Sequence, residues 1–277
     1  MKQLPLGLRD YLPHEIDERN KLFDLMKDIV EQYGYKRIIT PSIEHFDRIQ
    51  RALGDDLSND CIMFFDSTGS RLVLRPDHTT PIARIVSTRL TNDLPVKLFY
   101  FDPVFRKDSL LGETEIYQFG CEHIGEITID EEVSIIKLIL QLCDSMGLDD
   151  VEIHVSHPEF FNDLEDSQLN ALKSGDLTDF DSLPIVEANG KGSNYLDQFF
   201  KLLSAEKLSN VFANRFLYKD LTYYNGLYFD IISKSFGKVI GSGGRYDRVL
   251  DAFDLNSNAF GFAFRMHYLE KAVKNNV

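Results

Sequence analysis

Apolar residues near the start of the chain recur at steps of three and four. Leu22, Leu25, Met26, Ile29, Val30 and Tyr33 form one stripe, and Gly34 follows it. That period predicts an amphipathic helix over Glu15–Tyr33, closed by a glycine suited to the left-handed C-cap. The pattern then turns extended and β-branched in YGYKRIITPSIE, where Pro41 marks an edge or a bend because it lacks an N–H for a ladder. Arg71–Arg75 alternates with period two and stops at Pro76, and TTPIARIVSTRL beyond it reads as a helix. Lys97–Phe101 and Ile116–Ile124 read as two strands. The polar stretch Lys107–Glu113 between them predicts a hairpin with a long loop.

Asp130–Gly147 predicts a second long helix. Asp130, Glu131 and Glu132 open it, where negative charge complements the helix dipole, and Gly147 stops it. Val151–His157 alternates as a strand. From Pro158 to about Asn210 the pattern is helical, polar and irregular, which suggests a small insertion at about 158–210. Leu227–Ser233, Lys238–Gly241 and Phe260–Phe264 predict further strands, and a last helix runs from about Met266 to Lys274. There is no regular strand–helix–strand alternation. The pattern therefore favours one α+β domain, a mixed or antiparallel sheet flanked by helices, carrying the insertion.

Composition narrows the function classes. At 277 residues and 43% hydrophobic, the chain can bury a large core. No run reaches the ~18 apolar residues of a membrane span, and MKQLPLGLRDYLP lacks the apolar core of a secretory signal. Cys61, Cys121 and Cys143 are odd in number and lack metal-ligand spacing, which argues against a disulfide framework or structural zinc. A reducing, cytoplasmic location is expected, with no cofactor and no metal. The formal charge of −14, with no dense Lys/Arg run, gives little to attract nucleic acid.

Five segments carry a family resemblance. GLRDYLP resembles the N-terminal signature of histidyl-tRNA synthetases. YGYKRIITPSIE is similar to the class II synthetase motif that builds a dimer interface. FDPVFRKD followed by YQFGCEHIG resembles the class II strand–loop–strand that binds ATP. KDLTYYNGLYFD and GSGGRYDRVL resemble the two histidine-specific signatures. Each segment alone has a plainer reading. GSGGRYD is also a tight turn, since glycines serve turns without steric cost. Tyr223 and Tyr224 are also core aromatics, Arg106 a surface strand arginine, and Glu122 an inward strand residue paired with an arginine. All five in order imply a class II synthetase-like fold.

The resemblance also implies a histidine pocket. Asp77 and Thr79 in LRPDHTT fall where the family holds the ligand's α-ammonium, and Gln118 falls near the amino-acid backbone. Glu122 and Tyr224 fall where the imidazole is read, and a carboxylate accepting an imidazole N–H is sound chemistry. Arg106, Lys219, Tyr223, Gly244 and Tyr246 complete the expected histidine-binding set.

Departures from the family pattern concern catalysis. Asp108 stands where a glutamate is usual. Thr114 stands in place of a loop arginine, and Tyr268 in place of the arginine that ends the last class II motif. Lys219 replaces the arginine that opens a histidine signature, with Asp220 and then Thr222 after it. Lysine does not reproduce the planar fork of arginine, and one lost preorganised donor typically costs roughly 3–4 kcal/mol in a transition state. No catalytic residue is therefore assigned. The sequence ends at Val277, one helix after the last motif, and no anticodon-binding domain is expected.

This combination resembles the regulatory subunits of short-form ATP phosphoribosyltransferases, the first enzyme of histidine biosynthesis. The resemblance implies a non-catalytic chain that partners a short catalytic subunit and also a second copy of itself. It implies a hetero-octamer of four plus four, histidine as the feedback effector, no tRNA and no membrane. The open alternatives are an active, histidine-activating enzyme of the synthetase type, an RNA-binding module derived from a synthetase, and a scaffold that dimerises and binds no ligand.

Overall fold

The computed structural model describes residues 4–107, 112–162, 164–174, 194–219 and 224–276. Helix α1 (Pro13–Gln32) begins with proline at its first position, and Glu15 reaches back to accept from the Leu12 N–H at 2.8 Å. Gly34 beyond it has φ +85°, the left-handed stop the pattern predicts. The extended YGYKRIITPSIE stretch divides at Pro41. Strand β1 (Lys36–Arg37) pairs parallel with the strand Val96–Phe105, whereas β2 (Ile43–His45) joins a separate sheet. That second sheet runs β2, β4 (Arg71–Leu74), β3 (Met63–Phe65), all antiparallel, with helix α2 (Phe46–Asn59) between β2 and β3.

Strand β5 (Val96–Phe105) and β6 (Glu115–Gly125) form the expected hairpin, each longer than the apolar pattern alone indicates. The chain continues through α4 (Ile129–Ser145), β7 (Val151–Ser156), α5 (Asp166–Ser174), α6 (Asn194–Ala205) and β8 (Val211–Ala213). It then returns through β9 (Tyr228–Ser233), β10 (Lys238–Arg245), α7 (Asp247–Asp251), β11 (Asn258–Arg265) and α8 (Met266–Asn275). α3 (Thr79–Ile85) follows β4 and runs into a π turn over Val86–Leu90. The main sheet has the order β1-β5-β6-β11-β10-β9-β7-β8. It is antiparallel except for the β1–β5 and β7–β8 pairs at its two ends, so the expected mixed sheet flanked by helices is observed.

The two faces of this sheet carry two cores. On one face Phe99, Phe119, Cys121, Phe260 and Phe264 pack under α1, α4, α6 and α8. On the other, Leu98, Tyr100, Ile124 and Ala259 pack against α2, α3 and α7. Successive strand residues alternate faces, so β6 sends Phe119 and Cys121 to the first core and turns Gln118 and Glu122 the opposite way. The middle of β10 and β11 holds Gly241, Gly243, Gly244 and Gly261, and there the second face opens into a cleft instead of filling with side chains.

The capping of α4 was only partly legible. Thr128 is its N-cap, exchanging hydrogen bonds with Glu131 (Thr128 N–H to Glu131 Oε2, 2.7 Å). Of the three acidic residues in the first turn, Glu132 points inward and is fully buried, which an exposed dipole role does not require. Among the described residues no helix is long and apolar enough to cross a membrane.

Phe229 is fully buried in the first core and lies 5.9 Å from the Phe260 ring. Phe229→Ala is expected to lower the unfolding free energy by about 3–5 kcal/mol, read as a shift in the urea midpoint.

Candidate functional site

The cleft has a volume of about 600 Å³ and is walled by the β4–α3 turn, β5, β6, β10 and β11. Of the ten residues expected to bind histidine, nine line it: Asp77, Thr79, Arg106, Gln118, Glu122, Lys219, Tyr224, Gly244 and Tyr246. Tyr223 lies outside the described residues, as do Asp108, Asp220 and Thr222.

Glu122 is the centre of the floor. Its side chain is 2% exposed. Oε1 accepts from Thr79 Oγ1 at 3.0 Å and from the Tyr100 hydroxyl at 3.4 Å, and Oε2 accepts from the Tyr246 hydroxyl. No described cation forms an ion pair with it, which replaces the plainer reading of an arginine-paired strand residue. Burial pushes its carboxyl up to about 7, against the pull of the three hydroxyls, and the nearby Asp77 carboxylate adds to the rise.

The glycines make this geometry possible. A Cβ on Gly261 would lie 1.9 Å from Glu122 Oε2, so only glycine leaves room for the carboxylate at the opposed position of β11. Gly244 has φ +153°, and a Cβ there would meet Tyr228 Cβ at 2.6 Å. GSGGR is therefore strand, not turn: it is the end of β10, paired on both sides, and Tyr246 and Asp247 after it open α7.

Asp77 is buried, and its carboxylate accepts from the Thr80 N–H at 2.6 Å and from Thr80 Oγ1 at 3.0 Å. It thus anchors the first turn of α3 as well as lining the cleft. Burial raises its pKa. Arg106 donates through Nε to the Pro76 carbonyl at 2.5 Å, which fixes its stem across the same turn. Lys219 donates to Asp230 Oδ1 at 2.6 Å and to the Phe229 carbonyl at 3.3 Å, and its ammonium lies 5.5 Å from the Tyr224 ring centroid. Tyr224 stacks on Tyr228 with centroids 5.5 Å apart, and burial pushes its phenol well up.

A half-buried polar chain holds Tyr246 over Glu122. On one side of it, Arg245 donates to Asp247 at 2.9 Å and to Glu132 at 3.3 Å, and Glu132 also accepts from the Tyr195 hydroxyl of α6. On the other side, Asp247 accepts from Asn225 at 3.1 Å, Asn258 at 3.2 Å and the Ala259 N–H at 2.8 Å. The two residues flanking Tyr246 are thereby tied to α4, to the segment bearing Tyr224 and to β11. Sequence reading missed this network because its members are far apart in the chain. It also missed Tyr100, Asp230, Lys238 and Arg265, which line the cleft. Alternation along β5 and β11, extended one residue beyond Phe264, is the sequence signal that could have found Tyr100 and Arg265.

The departures from the synthetase pattern have definite surroundings. Thr114 hydrogen-bonds to the N-terminal segment, its N–H donating to the Gly7 carbonyl at 2.8 Å and its hydroxyl to the Leu6 carbonyl at 3.1 Å. Tyr268 lies in the cleft wall, its ring 5.8 Å from that of Phe236.

The histidyl-tRNA synthetase family model matches residues 7–182 and 179–269. An ATP phosphoribosyltransferase regulatory subunit from Carboxydothermus hydrogenoformans is 30% identical over 100% of this chain and 98% of its own length. The chain belongs to the histidyl-tRNA synthetase family, and within it to the ATP phosphoribosyltransferase regulatory subunits. A histidine–tRNA ligase from Methanocaldococcus jannaschii is 29% identical over 95% of this chain but only 74% of its own length. A solved structure from Bacillus halodurans, described as an ATP phosphoribosyltransferase regulatory subunit/histidyl-tRNA synthetase, superposes with a TM-score of 0.85 at 25% identity. It covers 99% of this chain and 83% of that one.

Glu122 generates a prediction about pH. Its folded pKa of about 7 lies above the unfolded value of about 4.3. Between the two the folded state binds more protons, so stability falls as pH rises through that window. Glu122→Gln is expected to remove a loss on the order of 3 kcal/mol between pH 4.5 and 7.5, measured from urea midpoints of the two proteins at both pH values.

Proposed function

We propose that this chain is the non-catalytic regulatory partner of a short ATP phosphoribosyltransferase catalytic subunit, needed for its activity and for its inhibition by histidine. The end-to-end match to a regulatory subunit, 100% of this chain against 98% of the relative, carries the reading. The cleft supports it in two ways. Its floor offers carboxylates and hydroxyls suited to an amino acid with an imidazole. Of three positions where a synthetase places arginines on ATP and the reacting carboxylate, Lys219 and Tyr268 line the cleft and Thr114 is bonded to the N-terminal segment.

Lys219 is held by Asp230, and Thr114 by the N-terminal segment. Neither is placed as a preorganised guanidinium for a developing negative charge, a loss of roughly 3–4 kcal/mol per donor. Losses of that size, even without strict additivity, cost adenylation orders of magnitude in rate. Feedback needs a histidine affinity that differs between active and inactive assemblies, a coupling of typically ~1–3 kcal/mol. The inherited pocket is the site proposed for it.

A second copy of the chain is the other partner. Ile39, Ile43, Met63 and Phe65, from YGYKRIITPSIE and the adjoining small sheet, are 67%, 46%, 51% and 71% exposed. Large apolar residues this exposed, on the motif that dimerises class II synthetases and on the small sheet it enters, suit a self-complementary interface. Dimers of this kind would assemble with catalytic subunits as the hetero-octamer.

The test mixes the purified chain with a short catalytic subunit and follows phosphoribosyl-ATP formation with and without histidine. Activity that appears only in the mixture and falls as histidine is added is the expected result. A silent mixture, together with histidine-dependent ATP–pyrophosphate exchange by the lone chain, would instead favour an active synthetase-type enzyme.

A further inference from the structure

We infer that Tyr195, on helix α6, is a positioning residue for the cleft: acting through Glu132 and Arg245, it sets where Tyr246 stands and so ties the seating of α6 to the affinity of the site. The affinity half of this statement rests on the pocket reading above. The placement of Tyr246 does not.

The link starts outside the cleft. Tyr246 lines it, whereas Tyr195, Glu132, Arg245 and Asp247 do not. Glu132 is fully buried in α4, so its carboxylate depends on protein partners. Two reach it, from distant parts of the chain. The Tyr195 hydroxyl donates to Oε2 from α6, and Arg245 Nη1 donates to Oε1 at 3.3 Å from the end of β10. Each partner serves one oxygen. Burial raises the carboxyl's pKa, and the hydroxyl and the guanidinium both oppose the rise. Withdrawing either partner leaves a buried acceptor unsatisfied, at the full cost of its desolvation. The carboxylate therefore follows both partners and passes a shift of one to the other.

Tyr195 carries the seating of α6 to this point. Its ring lies 5.0 Å from that of His157, which follows β7, and 6.4 Å from that of Phe199, one turn further along α6. Phe199 is fully buried in the first core. The hydroxyl is thus held by the part of the chain that connects β7 to β8.

At the other end, Arg245 has little freedom to absorb a shift. A Cβ on Gly226 would lie 2.7 Å from Arg245 Cδ, so the arginine stem rests directly on that backbone. Its Nε donates to Asp247 at 2.9 Å, its N–H donates to the Leu227 carbonyl at 2.7 Å, and its carbonyl accepts from the Asn225 N–H at 3.1 Å. Asp247 is held in turn by Asn225, Asn258 and the Ala259 N–H. Tyr246 stands between these two residues. Its N–H donates to the Ala259 carbonyl at 3.0 Å and its hydroxyl to Glu122. A shift of the guanidinium that the stem cannot absorb reaches this phenol across one peptide unit.

Tyr195→Phe keeps the ring and its stacking neighbours and removes the hydroxyl alone. Amide hydrogen exchange of the full-length chain without ligand, read by mass spectrometry, follows the segment Arg245–Ala259, with α1 as the reference. Exchange in the segment is expected to quicken by about tenfold, as for the loss of one hydrogen bond to a charged group, while α1 is unchanged. Glu132→Gln tests the route. With the charge gone the hydroxyl is no longer required, so Tyr195→Phe should add much less in that background than in the wild type, the signature of two residues that act through one group. Calorimetry with histidine then reads the affinity, which is expected to fall at least about fivefold in Tyr195→Phe.

A hydroxyl that serves stability alone would quicken exchange in α1 and in the segment alike, and that result overturns the inference. So does an unchanged segment, or an equal effect of Tyr195→Phe in both backgrounds. Quickened exchange with unaltered histidine affinity overturns the tie to the site. Failure of the wild-type chain to bind histidine, with the segment quickened in Tyr195→Phe, overturns the pocket reading and leaves the placement of Tyr246 standing.

Discussion

A carboxylate buried in a sheet is expensive unless something satisfies it, and much of the architecture around the cleft meets that requirement for Glu122. Three hydroxyls reach it from three separate parts of the chain: Thr79 from the start of α3, Tyr100 from β5 and Tyr246 from the end of β10. The glycine opposite, Gly261, leaves the room that the carboxylate fills. The polar chain through Arg245, Asp247, Glu132 and Asn225 then fixes the residues on either side of Tyr246. Holding one charge in place thus draws on β5, β6, β10, β11, α3, α4 and α7. Polar networks whose members are satisfied rigidify a structure, and this one rigidifies the floor of the cleft.

The same sheet divides labour between its faces. One face is closed by α1, α4, α6 and α8 over a continuous apolar core, and it supplies the rigidity that strand-borne side chains need in order to keep a fixed geometry. The other is only partly covered by α2, α3 and α7, and the uncovered glycine-rich part is the cleft. A synthetase would use such a cleft for chemistry. Here Lys219 and Thr114 are committed to protein partners, Asp230 and the N-terminal segment, and Tyr268 stands in the wall. On the proposed reading, the cleft keeps carboxylates and hydroxyls for an amino acid with an imidazole while its cationic machinery is reduced, a combination suited to sensing rather than turnover.

The amino-acid sequence by itself determined the elements whose signals are local. The three-and-four spacing from Leu22 to Tyr33 and Gly34 marked α1. The alternation in Arg71–Arg75 and Ile116–Ile124 marked strands, and the acidic run after Thr128 marked α4. The family resemblance carried by five short segments in order was enough to name nine residues that line the cleft. Only the tertiary structure decided what depends on pairs distant in the chain. It sent the two halves of YGYKRIITPSIE to different sheets, turned Glu132 inward to Arg245, and made GSGGR a strand rather than a turn. A glycine's role is set by the atom that would meet its missing Cβ, and for Gly261 that atom belongs to Glu122, 139 positions earlier in the chain. Periodicity reports which face a residue takes along its own element. It carries no information about which residue waits on the facing one, and at this site the facing residues decide the chemistry.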